Sequence, residues 1–313
     1  MTMSTAQVRV VDPVLTTHAR GYRHPKHVGI ALFPNVSIPL RGVKRLEFGK
    51  ESFRLYNTRR APGGATKRVD FGYQGVPVNL HGHSLEGKVP WEHLQEAATS
   101  PGLDLAKGAV NLVLKSMSLE REVAQATIAR DATKFDANHK VALAGGDQWS
   151  DPNSDPKADV DAAKEAVRRS IGDYPNTMVI GPGVFLALQN HPKIAEKFKY
   201  TGRESITTDM LALYFDLEKV EVGKAVYLAE ADADTADFTD AWGKDAILAY
   251  VPHGEESWEV PSFGYTYHLE GHPFVEQPYS ERNVKSWLYP VTDEYSVEDV
   301  GRVAGFLIQN AVA

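Results

Sequence analysis

The sequence contains no cysteine among its 313 residues. This absence excludes disulfide bonds, thiolate metal sites and cysteine nucleophiles together, and it fits a reducing compartment. Runs of about 18 apolar residues, which a membrane-spanning helix needs, are also missing, and the N-terminus lacks the basic-then-apolar pattern of a signal peptide. We therefore expect a protein that is made and used inside a cell and that contacts no membrane.

Common catalytic and nucleotide-binding motifs are absent as well. The chain has neither a Gly-x-Ser-x-Gly nucleophile elbow nor a Gly-x-x-x-x-Gly-Lys-Ser/Thr phosphate loop. Gly181-Pro182-Gly183 follows a predicted strand and precedes a predicted helix, but it lacks the third glycine of a dinucleotide fingerprint. The sequence predicts no catalytic residue and no cofactor.

The best metal-like cluster is His81-Gly82-His83, with His93 further along the chain. It lacks a third ligand at a fixed spacing, so surface histidines are the better interpretation. Residues 151–155 imitate the first half of a calcium loop, but Pro156 stands where such a loop needs glycine. A turn followed by a helix cap explains this segment better, and we expect no metal site.

Charge is distributed unevenly along the chain. Residues 1–68 hold 13 basic and three acidic residues, a net charge of +10 (13 − 3), so the remainder carries about −17 (−7 − 10). Such a basic segment could bind nucleic acid or the acidic body of a neighbouring copy. We favour the neighbouring copy, because the segment lacks the repeated aromatic platforms of a single-strand binder, although phosphate neutralisation stays open.

The first 90 residues predict two segments that extend away from a core. Residues 1–44 are rich in proline, histidine and arginine, and the prolines favour an extended arm. Residues 45–90 alternate β-prone runs with glycines around a tip at Pro62-Gly63-Gly64, which predicts a projecting hairpin. Because an isolated two-stranded ribbon is marginal in water, another surface must hold it.

The rest of the chain predicts an α+β fold. Apolar spacing favours a long helix from Leu103 to about Arg130, roughly 40 Å at ~1.5 Å per residue. Asp155 and Pro156 start another helix, and short helices and strands alternate after it. Strands dominate from residue 225 onward, and the cap at Ser296 predicts a closing helix to Asn310.

One stretch carries a family resemblance. It runs from Gly145 to Tyr200 and includes Trp149-Ser150-Asp151-Pro152, Tyr174-Pro175-Asn176-Thr177 and Leu188-Gln189-Asn190-His191-Pro192. In this order, the segments resemble the central domain of tailed-phage major capsid proteins with the Hong Kong 97-like fold. That resemblance implies an arm (1–44), an extended loop (45–90), a peripheral domain with a spine helix (91–150), an axial domain (151–250), and return strands with a C-terminal helix (251–313).

The resemblance also implies a function. The chain would self-assemble as hexamers and pentamers into the icosahedral head that encloses double-stranded DNA, which it would contact non-specifically. Expected partners are a separate scaffolding protein, a portal and possible decoration proteins, with assembly in the host cytoplasm and a final place in the virion. An encapsulin-like compartment shell is the alternative, and a soluble α+β enzyme with an unrecognised site is a third interpretation.

Candidate inter-subunit contacts follow from the basic segment and from the resemblance: Arg41, Arg45, Arg54, Arg59, Arg60, Lys67, Arg68 and Trp149. Some capsids of this fold are sealed by Lys–Asn isopeptide bonds, but nothing marks an acceptor for Lys50, Lys67 or Lys88, so we expect non-covalent assembly. Interlocking arms predict that deletion of residues 1–44 abolishes or misdirects particles and leaves a foldable core.

Overall fold

A computed structural model describes residues 11–46, 59–60, 75–98, 104–199, 206–229, 231, 233, 235–252 and 262–313. The α-helices within these residues are α1 (Pro13–Gly21), α2 (Trp91–Ala98), α3 (Leu105–Arg130), α4 (Pro156–Ile171), α5 (Pro182–Asn190), α6 (Pro192–Phe198) and α7 (Thr208–Phe215). None of these described helices is long and apolar enough to span a membrane.

The described strands fall into two larger sheets and two short ribbons. They are β1 (Asn35–Ile38), β2 (Gly42–Leu46), β3 (Gly75–Asn79), β4 (His81–Pro90), β5 (Lys140–Ala142), β6 (Thr177–Ile180), β7 (Lys219–Val222), β8 (Val226–Tyr227), β9 (Thr239–Asp240), β10 (Ala246–Ala249), β11 (Gly264–Leu269), β12 (Phe274–Val275), β13 (Tyr279–Glu281), β14 (Ser286–Asp299) and β15 (Gly305–Gln309).

A six-stranded sheet has the order β1-β11-β14-β12, and β4 and β13 also pair with β14. A five-stranded sheet has the order β5-β15-β10-β6-β7. Two ribbons, β2-β3 and β8-β9, pair outside both sheets. The mixture of helices with both parallel and antiparallel pairs confirms the α+β class.

The long helix α3 links the two sheets. Its N-terminal half, with Val110 and Val113, packs against β4 and β14 through Val89 and Val291. Its C-terminal half packs through Ala126 and its neighbours against one face of the five-stranded sheet. The other face of that sheet packs against α4, α5 and α7. The predicted long helix is confirmed, and the side chain of Asp104 caps it by accepting a hydrogen bond from the Lys107 N–H.

The predicted extended arm is wrong for its described residues, 11–44. Asp12 caps α1, whose first residue is proline, and this start signal outweighs the prolines that follow. Strand β1 then pairs with β11, and Leu32 and Phe33 are fully buried. Burial of each such side chain contributes about 1.5–3 kcal/mol. The structure therefore contradicts the expectation that deletion of residues 1–44 leaves a foldable core.

The predicted C-terminal helix from Ser296 to Asn310 is also wrong. Ser296 lies within β14 and pairs with Tyr267 of β11. Residues 305–309 form β15 between β10 and β5, where Phe306, Leu307 and Ile308 are buried. A short continuous apolar run covered on both faces suits a central strand as well as a helix, so the pairing partners decide the outcome.

Candidate assembly interface

The β2-β3 ribbon leaves the body of the subunit at a defined base. Gly42 pairs with Asn79, and the pairing continues to Leu46 and Gly75. Val78 is buried against the six-stranded sheet in a cluster that includes Tyr265 and Tyr267. Strands β2 and β3 thus pair where the predicted hairpin begins and returns, its tip at Pro62-Gly63-Gly64 lies outside the described residues, and residues 81–90 of the predicted loop instead form β4 of the six-stranded sheet.

Arg41 anchors the start of this ribbon to the six-stranded sheet. Its Nε donates to Glu294 Oε2 of β14 at 2.7 Å, and its second guanidinium contact reaches Oε1 of the same carboxylate. The Arg41 side chain nevertheless stays 74% exposed, whereas that of Glu294 is 11% exposed. The backbone carbonyl of Arg41 also accepts a hydrogen bond from the Leu80 N–H. Arg41 therefore fixes the ribbon within its own subunit, and a contact with a neighbouring copy stays a prediction.

The other predicted contact residues of the basic segment are described in part. Arg59 and Arg60 are both exposed. For Arg45, which lies in β2, the structure describes the backbone. Arg54, Lys67 and Arg68 lie outside the described residues. Their contacts with a neighbouring copy therefore stay predictions.

Trp149 lies in the core of the subunit and not at its surface. The side chain is 0% exposed and packs in the cluster that covers the five-stranded sheet. Its indole Nε1 donates to Asp159 Oδ2 at 2.9 Å, and its backbone N–H donates to the Ala311 carbonyl at 2.7 Å. Because no surface of this side chain is left for another copy, the expected inter-subunit contact of Trp149 is corrected to a structural role.

The segment after Trp149 forms the predicted turn and cap. Asp151 Oδ1 accepts a hydrogen bond from the Asn153 N–H at 2.8 Å. Asp155 caps α4 by accepting from the Ala158 N–H at 3.2 Å. This hydrogen bond, with help from the nearby Lys193, lowers the pKa of Asp155. These carboxylates are thus occupied by backbone groups.

Gly181 likewise has a structural explanation. A Cβ atom on Gly181 would overlap the carbonyl oxygen of Gly243, so the close approach of the two backbones requires glycine there. Pro182 occupies the first turn of α5, where its missing N–H is not needed. The Gly-Pro-Gly segment is a tight strand-to-helix turn.

Glu122 is a buried residue that stabilises the fold, and its role was not apparent from the sequence. It lies on α3 and is 2% exposed. Its carboxylate accepts hydrogen bonds from the Val28 N–H at 2.9 Å, the Gly29 N–H at 2.9 Å and the Trp242 indole N–H at 2.7 Å. One side chain of α3 thereby joins the N-terminal segment to the loop before β10. Its position within the apolar face of α3 was the available signal.

His83 of β4 contacts an aromatic ring and a carboxylate. The ring of His83 stacks on that of Tyr295 with centroids 4.1 Å apart, and its Nδ1 lies 3.3 Å from Glu120 Oε1. Burial raises the pKa of Tyr295, so this phenol stays neutral. Across the described parts of the chain, no group of three or more His, Cys, Asp or Glu side chains is arranged to hold a metal ion.

Comparison with solved structures identifies the fold. The capsid of Cyanophage P-SCSP1u superposes with a TM-score of 0.55 at 8% identity, over 89% of this chain and 86% of that one. The holo-SrpI encapsulin complex from Synechococcus elongatus PCC 7942 superposes with a TM-score of 0.54 at 11% identity, over 99% and 91%. At this identity the likeness concerns the fold alone. The chain has the HK97-like fold of phage capsid and encapsulin shell subunits.

Closer relatives identify the family. A phage-related protein from Bordetella bronchiseptica RB50 has a TM-score of 0.82 and 48% identity, over 97% of this chain and 98% of that one. The family model of phage major capsid protein E matches residues 133–278. The major capsid protein of Burkholderia phage BcepMu is 35% identical over 310 residues, 97% of each sequence. The chain belongs to the phage major capsid proteins. It is a structural shell subunit and a component of the virion.

Proposed function

We propose that this subunit assembles as hexamers and pentamers into an icosahedral head that encloses double-stranded DNA, without catalytic activity. Assembly takes place in the host cytoplasm with a scaffolding protein and a portal, and decoration proteins are candidate outer partners. A division into an extended loop (45–90), a peripheral domain with the spine helix (91–150), an axial domain (151–250) and return strands (251–313) belongs to the same proposal. The observation that carries it is the β2-β3 ribbon.

The base of this ribbon packs on its own subunit, and the part beyond the base needs another surface to stabilise it. In the part of the chain that the structure describes, β2 and β3 pair with each other and with no third strand. A two-stranded ribbon is marginal by itself in water. The segment between them, residues 47–74, carries Lys50, Arg54, Arg59, Arg60, Lys67 and Arg68.

Charge supports a second copy of this chain as that surface. Residues 1–68 carry a net charge of +10, and the remainder of each copy carries about −17. Opposite potentials favour association and fix its register. When a patch of one copy binds a different patch of the next copy, the copies form a closed assembly if the rotation between successive copies returns to the first one.

The test compares the charge-reversal variant Arg59→Glu/Arg60→Glu with the control Arg169→Glu. Arg169 lies on α4, and its side chain is 74% exposed. We expect wild type and control to form uniform shells in electron micrographs, and the double variant to form few or none. Circular dichroism must show that all three proteins are folded. Normal shells from the folded double variant would contradict the role of the ribbon.

Packaged material separates a phage head from a compartment shell. Native particles are treated with nuclease, opened and analysed for DNA and protein. Protected double-stranded DNA of genome length supports the phage head. Particles that contain a protein cargo and no protected DNA would contradict the proposal in favour of an encapsulin-like compartment.

A further inference from the structure

A polar cavity of about 390 Å³ lies between the N-terminal segment, α3 and the six-stranded sheet. Arg20 of α1 and Arg23, just after it, line one side, and Arg121 of α3 lines another. His268 of β11 and His272, in the turn after it, line the sheet side. This cavity is separate from the β2-β3 ribbon and from the Trp149 segment.

Among the described residues that line this cavity, four buried polar atoms have no hydrogen-bond partner: Nε2 of His268, Nδ1 of His272, Oδ1 of Asp293 and Oδ1 of Asn35. His268 is 8% exposed, and the His272 side chain is 11% exposed. Buried polar atoms in native proteins are nearly always paired with protein, water or a ligand. Unpaired nitrogens that line a cavity therefore point to an occupant with matching groups.

The Arg121 guanidinium also lines this cavity. Its Cζ lies 5.8 Å from the centroid of the Tyr295 ring. Among the described residues it has no hydrogen bond or ion pair. A half-buried guanidinium presents a planar fork of N–H donors that fits a carboxylate or a phosphate.

Positive charge prevails at the cavity. Asp293 is the single carboxylate among the described residues that line it, against three arginines, so the lining carries +2 (3 − 1) with neutral histidines. Burial opposes ionisation of Asp293, yet His268, Arg121 and His272 together lower its pKa. Next to the cavity, burial and then His24, Arg121 and Lys115 lower the pKa of His27 to about 4. The surroundings thus disfavour a further cation and favour an anion.

We propose that this cavity binds a small oxyanion of the phosphate class, held by the Arg121 guanidinium and His268 Nε2. Asp293 Oδ1 lies 3.5 Å from His268 Nδ1 on the other side of the same ring. The oxyanion accepts from the Nε2–H of His268, on the side of the ring away from Asp293. Bound in this way, the oxyanion links α3 to the six-stranded sheet and to the N-terminal segment.

The experiment titrates the purified full-length chain with inorganic phosphate by isothermal calorimetry, with ionic strength held constant by sodium chloride. We expect saturable binding and a rise of the thermal unfolding midpoint that chloride alone does not give, since a ligand of the folded state stabilises it. Arg121→Gln should weaken phosphate binding at least about tenfold, because it removes a charge-assisted contact.

Two further variants make the result specific. Arg169→Gln removes an exposed arginine of α4 and should bind phosphate as wild type does. Arg23 donates only to the carbonyls of Arg20 and Tyr22 within the described chain, so Arg23→Gln should fold and bind phosphate more weakly. If circular dichroism shows that Arg121→Gln is unfolded, the phosphate affinity of Arg23→Gln tests the site instead.

Three outcomes would overturn the site. The first is a phosphate effect equal to that of chloride at the same ionic strength. The second is wild-type affinity in both folded cavity variants, or in Arg23→Gln alone if Arg121→Gln does not fold. The third is equal weakening by Arg169→Gln, which would mean diffuse attraction to surface charge instead of a site.

Discussion

Replacement of Glu122 is the sharpest test of how this subunit is held together. In Glu122→Ala, the buried N–H groups of Val28, Gly29 and Trp242 lose their acceptor. An unpaired buried donor costs about 1–3 kcal/mol, so three such losses give at least ~3 kcal/mol. The variant no longer buries a carboxylate, which is favourable and reduces the net loss of stability. We expect a loss of about 3–5 kcal/mol, a large part of the ~5–15 kcal/mol that stabilises a typical domain.

The conservative variant tests the geometry atom by atom. Oε1 accepts from Val28 and from Trp242, whereas Oε2 accepts from Gly29 alone. In Glu122→Gln the amide oxygen can keep the first two bonds, and the NH₂ group then faces the Gly29 N–H. One lost bond costs about 1–3 kcal/mol, so this variant should lie between wild type and Glu122→Ala.

The assay is urea unfolding of unassembled subunits, followed by far-ultraviolet circular dichroism. Glu196→Ala is the control, because Glu196 is an exposed glutamate on α6. Its effect should stay within about 0.5 kcal/mol. A cost below about 1 kcal/mol for Glu122→Ala would refute the reasoning, since it would mean that the three donors find other partners or water.

Three further predictions use the same unfolding assay. Burial lowers the pKa of His27 from 6.5 to about 4, so the unfolded chain binds a proton at this imidazole more tightly than the folded chain does. The free energy of unfolding should therefore fall as the pH drops from 6.5 to about 4. His27→Gln should flatten that part of the pH profile. Lys164→Met removes the buried amine that donates to the carbonyls of Phe215 and Asp216, and should lower the free energy of unfolding by about 2–3 kcal/mol. Asp155→Ala removes the cap of α4 and should cost about 1 kcal/mol, visible as a lower urea midpoint. Unchanged midpoints in Lys164→Met or Asp155→Ala, or an unchanged pH profile in His27→Gln, would contradict the respective contacts.

Local signals in the sequence were sufficient where an element carries both its start and its stop. Helix α4 has Asp155 before it, proline at its first position and Gly172 in the left-handed conformation after it. The prediction of this helix needed no knowledge of its neighbours. The same holds for α3, whose apolar spacing is regular over most of its length.

Elements that depend on distant partners were harder to predict. The register of β15 with Ala246 to Ala249 of β10 is a long-range pairing that leaves no local mark in residues 305–309. The sequence places Glu122 on the apolar face of α3, but it does not reveal the three donors from other segments that make the burial of this carboxylate favourable. Local chemistry therefore predicted the cap of α4 and the turn before it, and tertiary pairing decided elements such as β15.

The buried N-terminal segment changes how assembly must be tested. A deletion of residues 1–44 removes Leu32 and Phe33 from the core and two of the donors that bind Glu122. The loss of shells after that deletion would follow from unfolding alone, so it could not distinguish an interlocking arm from a structural one. Charge reversal at Arg59 and Arg60 leaves these buried contacts in place, because both side chains are exposed. A folded subunit that no longer closes into shells would then assign the defect to contacts between copies.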